Sequence, residues 1–259
     1  KRYFFLGIGG IGMSAIARYF HRQGHLVAGY DLTKTPLTEK LEEEGINIHY
    51  KDNISLVPVK FMDRDNTVVI YTPAVPDDMS EKVFFKEGNF TMLKRSEILG
   101  ELTDGKKALC VAGTHGKTTT STMLSHILNQ RAEKVNAFLG GISKNYESNL
   151  IVSSSDHVVV EADEYDRSFL RLKPNMAIVT ATDADHLDIY GTKEELLRTF
   201  AEFTSLIEEN GVLVMKKGIE MVPNTKESVK VYTYSGTEKA DFYAENIIIE
   251  NGELYFDFV

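Results

Sequence analysis

Apolar and polar positions along this chain fall into blocks whose period changes repeatedly. Arg2 to Ile8 is an apolar run of strand length, and Met13 to Gln23 then carries apolar residues at helical spacing. Val27 to Tyr30 predicts a second strand, Thr38 to Glu44 a helix, Ile46 to Tyr50 a short strand, and Thr67 to Thr72 a buried strand closed by Pro73. Leu93 to Leu102 reads as a helix. Apolar strands separated by helices predict a parallel sheet, because strands covered on both faces have no polar side to alternate.

The polar turn Thr103-Asp104-Gly105-Lys106-Lys107 interrupts this pattern, and the alternation then resumes. Ala108 to Val111 predicts a strand, Thr118 to Gln130 a helix, and Val158 to Val160 and Met176 to Thr182 two further strands. Glu194 to Glu208 is amphipathic, with Leu196, Leu197, Phe200, Phe203 and Ile207 on one face. Gly211 to Met215 and Val229 to Tyr234 predict strands, and Asn251-Gly252 between Ile247 and Phe256 marks an antiparallel hairpin. The expected fold is therefore α/β. A Rossmann-like parallel-sheet domain spans residues 1–104, and a P-loop ATPase-type central α/β domain with an antiparallel tail spans 105–259.

With 259 residues, 42% of them apolar, the chain can bury the cores of two domains. A net charge of -9 argues against a nucleic-acid surface. The single Cys110 lies within an apolar strand, which leaves no disulfide framework or cysteine metal site. No apolar stretch approaches the ~20 residues that span a bilayer, and no secretory signal precedes the first strand, so no membrane insertion and a cytoplasmic location are expected. The sequence opens at Lys1 inside a strand and stops at Val259 inside another, as though cut at both ends.

Two glycine turns carry the candidate chemistry. Ala112-Gly113-Thr114-His115-Gly116-Lys117-Thr118-Thr119-Thr120 joins a strand to a helix, as in a nucleoside-triphosphate site. Its glycines let backbone N–H groups converge on an anion, Lys117 adds positive charge, and Thr118 offers a hydroxyl to magnesium. The usual P-loop has glycine where this chain has Val111, so the turn is a tighter variant. Earlier, Gly7-Ile8-Gly9-Gly10-Ile11-Gly12 fits a dinucleotide fingerprint, with Asp31 at the end of the next strand where a ribose would lie. That fingerprint alone also suits a nicotinamide or flavin enzyme.

Acidic residues gather at two further strand ends. Glu161, directly after three valines, is the best magnesium candidate, while Asp163 and Glu164 read equally well as solvated loop charges. In Asp183-Ala184-Asp185-His186-Leu187-Asp188, a histidine flanked by carboxylates suggests a second metal or phosphate contact, and His115 could face a substrate. His21, His25, His49, His126 and His157 read as ordinary surface or helix-face residues.

Taken in order, Gly7 to Gly12, Gly113 to Thr119, Glu161-Ala162-Asp163-Glu164 and Asp185-His186-Leu187-Asp188 resemble the Mur ligases along essentially the whole chain. Within that family the motifs look most like the enzymes that join L-alanine to UDP-N-acetylmuramate in peptidoglycan precursor synthesis. The resemblance implies that Gly113, Thr114, His115, Gly116, Lys117, Thr118 and Thr119 bind ATP, and that Thr118, Glu161 and His186 hold Mg2+. Lys117, Glu161 and His186 would be the catalytic residues, while Gly9, Gly10, Ile11, Gly12 and Asp31 would meet the UDP-sugar. It further implies a third, C-terminal domain outside this sequence, without which catalysis is not expected. A murein tripeptide ligase is the nearest alternative, with an NAD(P)-dependent oxidoreductase and a non-catalytic nucleotide-sensing module as readings of other classes. The oligomeric state has no sequence signal.

Overall fold

The opening apolar run forms β1 (Arg2–Leu6), whose Phe4, Phe5 and Leu6 are inaccessible to solvent. In this computed structural model, which describes residues 1–132, 134–185 and 187–259, α1 (Ile11–Arg22), β2 (Leu26–Tyr30), α2 (Pro36–Glu43) and β3 (Asn47–His49) follow. Then come β4 (Thr67–Tyr71), α3 (Ser80–Glu87), β5 (Thr91–Lys94) and α4 (Arg95–Thr103). The strands lie in the order β3-β2-β1-β4-β5, all parallel. Chain order reverses beside β1, which puts the glycine turn after β1 at the carboxyl edge where such sheets bind ligands. Phe4, Leu6, Ala28, Val57, Phe61, Val69 and Phe85 fill the core on one side. Local signals help too: Thr35 caps α2 through a reciprocal pair with Thr38, and Pro36 occupies the first turn.

Next come β6 (Lys107–Ala112), α5 (Lys117–Asn129), and a hairpin of β7 (Asn136–Ser143) and β8 (Ser148–Ile151). After it lie β9 (His157–Glu161), a 3-10 segment (Tyr165–Arg171), β10 (Met176–Val179), α6 (Leu187–Tyr190) and α7 (Lys193–Ser205). The last elements are β11 (Val212–Lys216), β12 (Lys230–Ser235), β13 (Phe242–Glu250) and β14 (Glu253–Phe258).

The chain divides into two units, one of Lys1–Leu102 with Leu128–Ser155 and one of Thr103–Ile127 with Asp156–Val259. In the first, the hairpin lies on α1: Asn149 Nδ2 donates to Ile11 O (2.5 Å) and Ser14 Oγ (2.8 Å), and Arg18 Nη1 donates to Asn149 Oδ1 (2.5 Å). Arg18 is buried, and Glu44 supplies its counter-charge at 2.9 Å. In the second, the strands run β14-β13-β12-β11-β10-β6-β9. Every neighbouring pair is parallel except β13 with β14, the antiparallel hairpin expected from Asn251-Gly252. Against this sheet Phe169 is gripped by α7, stacked on Phe203 at 4.8 Å and edge-on to Phe200 at 5.3 Å.

Four features depart from the pattern reading. The segment expected to be a helix from Leu93 begins as β5, and α4 starts only at Arg95, where Glu97 Oε2 accepts the Lys94 N–H at 2.8 Å. Neither α3 nor the β7-β8 hairpin was expected. The first is only eight residues long, and Gly140-Gly141 breaks any alternation in the second. Finally, His49 is not a surface residue: its Nε2 lies 2.6 Å from Oε1 of the fully buried Glu81. No helix among the described residues is long and apolar enough to cross a membrane.

Candidate functional site

Strands β6 and β9 pair with Val111 opposite Glu161, so the glycine turn and the acidic segment leave the same edge of the sheet. Gly113 takes φ +134°, and a Cβ on it would collide with Thr180 Oγ1 and stand 2.8 Å from Ala181 N. Only glycine permits so close an approach with that backbone. The Thr180 hydroxyl lies 2.5 Å from His115 O and 3.1 Å from Ala112 O, pinning the turn from the end of β10. Thr114 adds a second tie: its N–H donates to Ala181 O (3.0 Å) and its Oγ1 accepts from the Asp183 N–H (3.1 Å). Thr114 thus spends these groups on shaping the turn. His115 is exposed, with Nε2 3.9 Å from Asp183 Oδ2. Gly116 carries the chain into α5, where its carbonyl accepts the Thr120 N–H at 2.9 Å, and Thr119 is exposed in the first turn.

Lys117 is held, not free. Its Nζ donates to Gly113 O at 2.7 Å and to Glu164 Oε1 at 2.9 Å, with Glu164 Oε2 at 2.8 Å in ion-pair contact. Glu164 is fully buried. Burial pushes its carboxyl above the usual carboxylate range, and the Lys117 ammonium pulls it back. Beside this pair, Thr118 Oγ1 donates to Glu161 Oε1 at 3.0 Å. A hydroxyl and a carboxylate oxygen so placed could supply two of the six oxygens that magnesium takes, phosphate oxygens and water ordinarily completing the shell. Among the described residues no three His, Cys, Asp or Glu side chains form a closed metal cage. The two oxygens are hard donors, the kind that magnesium carried with a polyphosphate takes. His186 lies outside the described residues.

Glu164 and Tyr190 are the residues that sequence reasoning missed. Tyr190 OH donates to Glu164 O at 2.5 Å, and its phenol is pushed up by burial and then by Glu164. Nothing in the spacing separates Glu164 from the more accessible acids around it, Glu161, Asp163 and Asp166. Only the fold turns its side chain inward.

In the first unit, the glycine turn is organised by Asp31, whose Oδ2 accepts the Gly9 N–H at 2.7 Å and whose Oδ1 accepts the Thr33 N–H at 3.1 Å. Its carboxylate therefore shapes the loop itself. Gly10 precedes α1, and Ile11 and Gly12 open that helix, with Gly10 and Ile11 exposed. Gly12 lies against Arg95: a Cβ there would stand 2.7 Å from Nη1. A helix N-terminus with an adjacent guanidinium is electrostatically suited to a diphosphate.

Comparison with known proteins matches both parts of the chain. The Mur ligase middle domain matches residues 111–259, and the Mur ligase family catalytic domain matches residues 2–107. The chain belongs to the Mur ligase family. Among curated Mur ligases, the UDP-N-acetylmuramate--L-alanine ligase of Parabacteroides distasonis is 56% identical over 99% of this chain and 56% of its own length. The protein of the same name from Porphyromonas gingivalis is 54% identical over 99% of this chain and 57% of its own. The chain thus spans a little over half the length of these relatives. Among solved structures, UDP-N-acetylmuramate-alanine ligase from Thermotoga maritima shares 28% identity at a TM-score of 0.81, over 99% of this chain and 57% of that one. The UDP-N-acetylmuramate:L-alanyl-gamma-D-glutamyl-meso-diaminopimelate ligase from Neisseria meningitides has the same fold, with a TM-score of 0.86 at 23% identity over 100% of this chain and 84% of that one.

Proposed function

We propose that the full-length protein joins L-alanine to the carboxylate of UDP-N-acetylmuramate at the expense of ATP, in the cytoplasmic assembly of peptidoglycan precursors. The observation that carries the ligase reading is the Lys117–Thr118–Glu161 constellation at adjacent strand ends. The choice of amine rests on relatives 54–56% identical that bear the L-alanine ligase name. On this reading residues 1–104 carry the UDP-sugar on Gly9, Gly10, Ile11 and Gly12 beside Asp31, and 105–259 carry ATP.

Thr118 and Glu161 would hold Mg2+, with His186 assigned to a second ion by family resemblance; bound there, the metal screens the charge of the triphosphate. Lys117 directs its ammonium at the β- and γ-phosphates from a turn fixed by Thr180 and Thr114. The muramyl carboxylate oxygen attacks the γ-phosphorus and ADP leaves, giving an acyl phosphate. The alanine amine then attacks the acyl carbon, loses a proton and expels inorganic phosphate, giving the amide. The main barrier is the approach of an anionic nucleophile to an anionic triphosphate, which positive charge at this edge lowers.

The test is phosphate release from ATP by the full-length protein with UDP-N-acetylmuramate, comparing L-alanine with L-alanyl-D-glutamyl-diamino acid tripeptide as the amine. Dependence on L-alanine is expected. Preference for the tripeptide would reassign the amine, and silence with both would overturn the ligase reading. Lys117→Ala should lower turnover by about 100-fold or more while calorimetric affinity for UDP-N-acetylmuramate is unchanged.

A further inference from the structure

Glu164 places a buried negative charge beside the lysine that the ATP reading assigns to anionic phosphates. Its carboxylate is fully buried and paired with the Lys117 ammonium, itself 14% exposed, so water screens the pair little. The backbone beneath it is fixed: Glu164 O accepts from both Tyr190 OH (2.5 Å) and the Arg167 N–H (2.9 Å). Two and three residues further on, Asp166 and Arg167 both occupy left-handed backbone (φ 52° and 54°), which costs L-residues roughly 1–2 kcal/mol each. The turn is sustained by Phe169, whose N–H donates to Asp163 O at 3.0 Å and whose ring is clamped between Phe200 and Phe203. A neighbouring acid shows the contrast. Asp163 Oδ1 accepts the Tyr165 N–H at 3.1 Å and serves the turn locally.

We infer that Glu164 is a positioning residue for the reaction, setting the Lys117 ammonium from behind through a carboxylate on a rigid, inward-facing turn. The inference rests on the ATP-site reading of Lys117. An ammonium has three N–H bonds. One goes to Gly113 O and one to Glu164, which fixes the ammonium beside the glycine turn with a third N–H to offer a phosphate. Lys117 therefore enters the reaction with its rotamer already chosen, and that orientation is worth most in the transition state. The same carboxylate also repels the polyphosphate in the ground state. Loss of Glu164 should thus harm turnover without weakening nucleotide binding.

The experiment is steady-state phosphate release by the full-length Glu164→Gln variant, with KM for ATP and for UDP-N-acetylmuramate and the thermal midpoint measured in parallel. The expected result is a kcat lowered about 10- to 100-fold, with neither KM raised more than about threefold, because misplacing a reacting group by about 1 Å costs on that order. Glu164→Asp, one methylene too short to reach Nζ, should behave like Glu164→Gln. Should Glu164→Gln fail to fold, Tyr190→Phe decides: freeing the Glu164 carbonyl should lower kcat about 3- to 10-fold at unchanged KM for ATP, a partial loss of the same alignment. A kcat within threefold of the unaltered protein, a loss that cooling restores along with the folded fraction, or a raised KM for ATP at constant kcat would each overturn this inference alone. Absence of phosphate release from the unaltered protein would overturn the ATP-site reading and this inference with it.

Discussion

Gly113 shows how much a single position can determine. Its φ of +134° belongs to glycine, and the space where a Cβ would stand is taken by Thr180 Oγ1. Gly113→Ala should cost about 1–3 kcal/mol of stability from backbone strain alone, and displacement of the turn should weaken calorimetric ATP binding at least about tenfold. Cys110 is the opposite case, a residue whose chemistry is suppressed by its surroundings. Burial pushes its thiol up to about 12, so at pH 8 it remains protonated and unreactive. A disulfide reagent should leave native protein unlabelled and titrate one thiol per chain in denaturant. The same shift gives a pH dependence. The unfolded thiol ionises near about 8.5 and the native one not until about 12, so its contribution to stability is intact below the first value and lost as pH rises through that window. Both predictions follow from what surrounds the residue, which is why Cys110 could be judged from its apolar neighbours in sequence while the Thr180 contact could not.

Among the elements, α7 reaches the candidate site through Phe169. Thr192 caps its start by accepting the Glu195 N–H at 3.2 Å, and its apolar face presents Phe200 and Phe203 to Phe169. Since Phe169 anchors the turn that carries Glu164, damage to α7 should reach the site. Phe203→Ala should destabilise the protein by about 3–5 kcal/mol in urea unfolding, because it removes a stacked ring from a fully buried cluster. A shallow loss under about 1 kcal/mol would show that the turn is held by something other than this aromatic grip. The apolar face of α7 was legible from spacing. The partner it would meet was not.

For the molecule as a whole, the larger consequence is that sequence-distant segments complete the first unit. Asn149 lies 138 residues from Ile11 and 131 from Arg18, yet bonds to both. Asn149→Leu would remove the acceptor of Arg18 Nη1 and the donor to Ile11 O together. It should destabilise the protein by about 3–5 kcal/mol, the cost of breaking a buried charged network. Unfolding followed by far-ultraviolet circular dichroism would measure the loss. By the same reasoning residues 1–102 expressed alone should be poorly folded, with α1 left uncovered.

The sequence by itself determined the alternation of strand and helix, the two glycine turns, the valine run that ends in Glu161 and the closing hairpin. Each of these depends on interactions between residues near one another in the chain: backbone freedom at glycine, apolar period and turn chemistry. Only the tertiary structure decided that Glu164 turns inward, that Asp31 serves the Gly9 N–H, that His49 meets the buried Glu81 and that Asn149 braces α1. Those outcomes depend on which distant groups arrive opposite one another when the sheets close. A charged side chain is written identically in sequence whether water or a buried counter-charge will receive it.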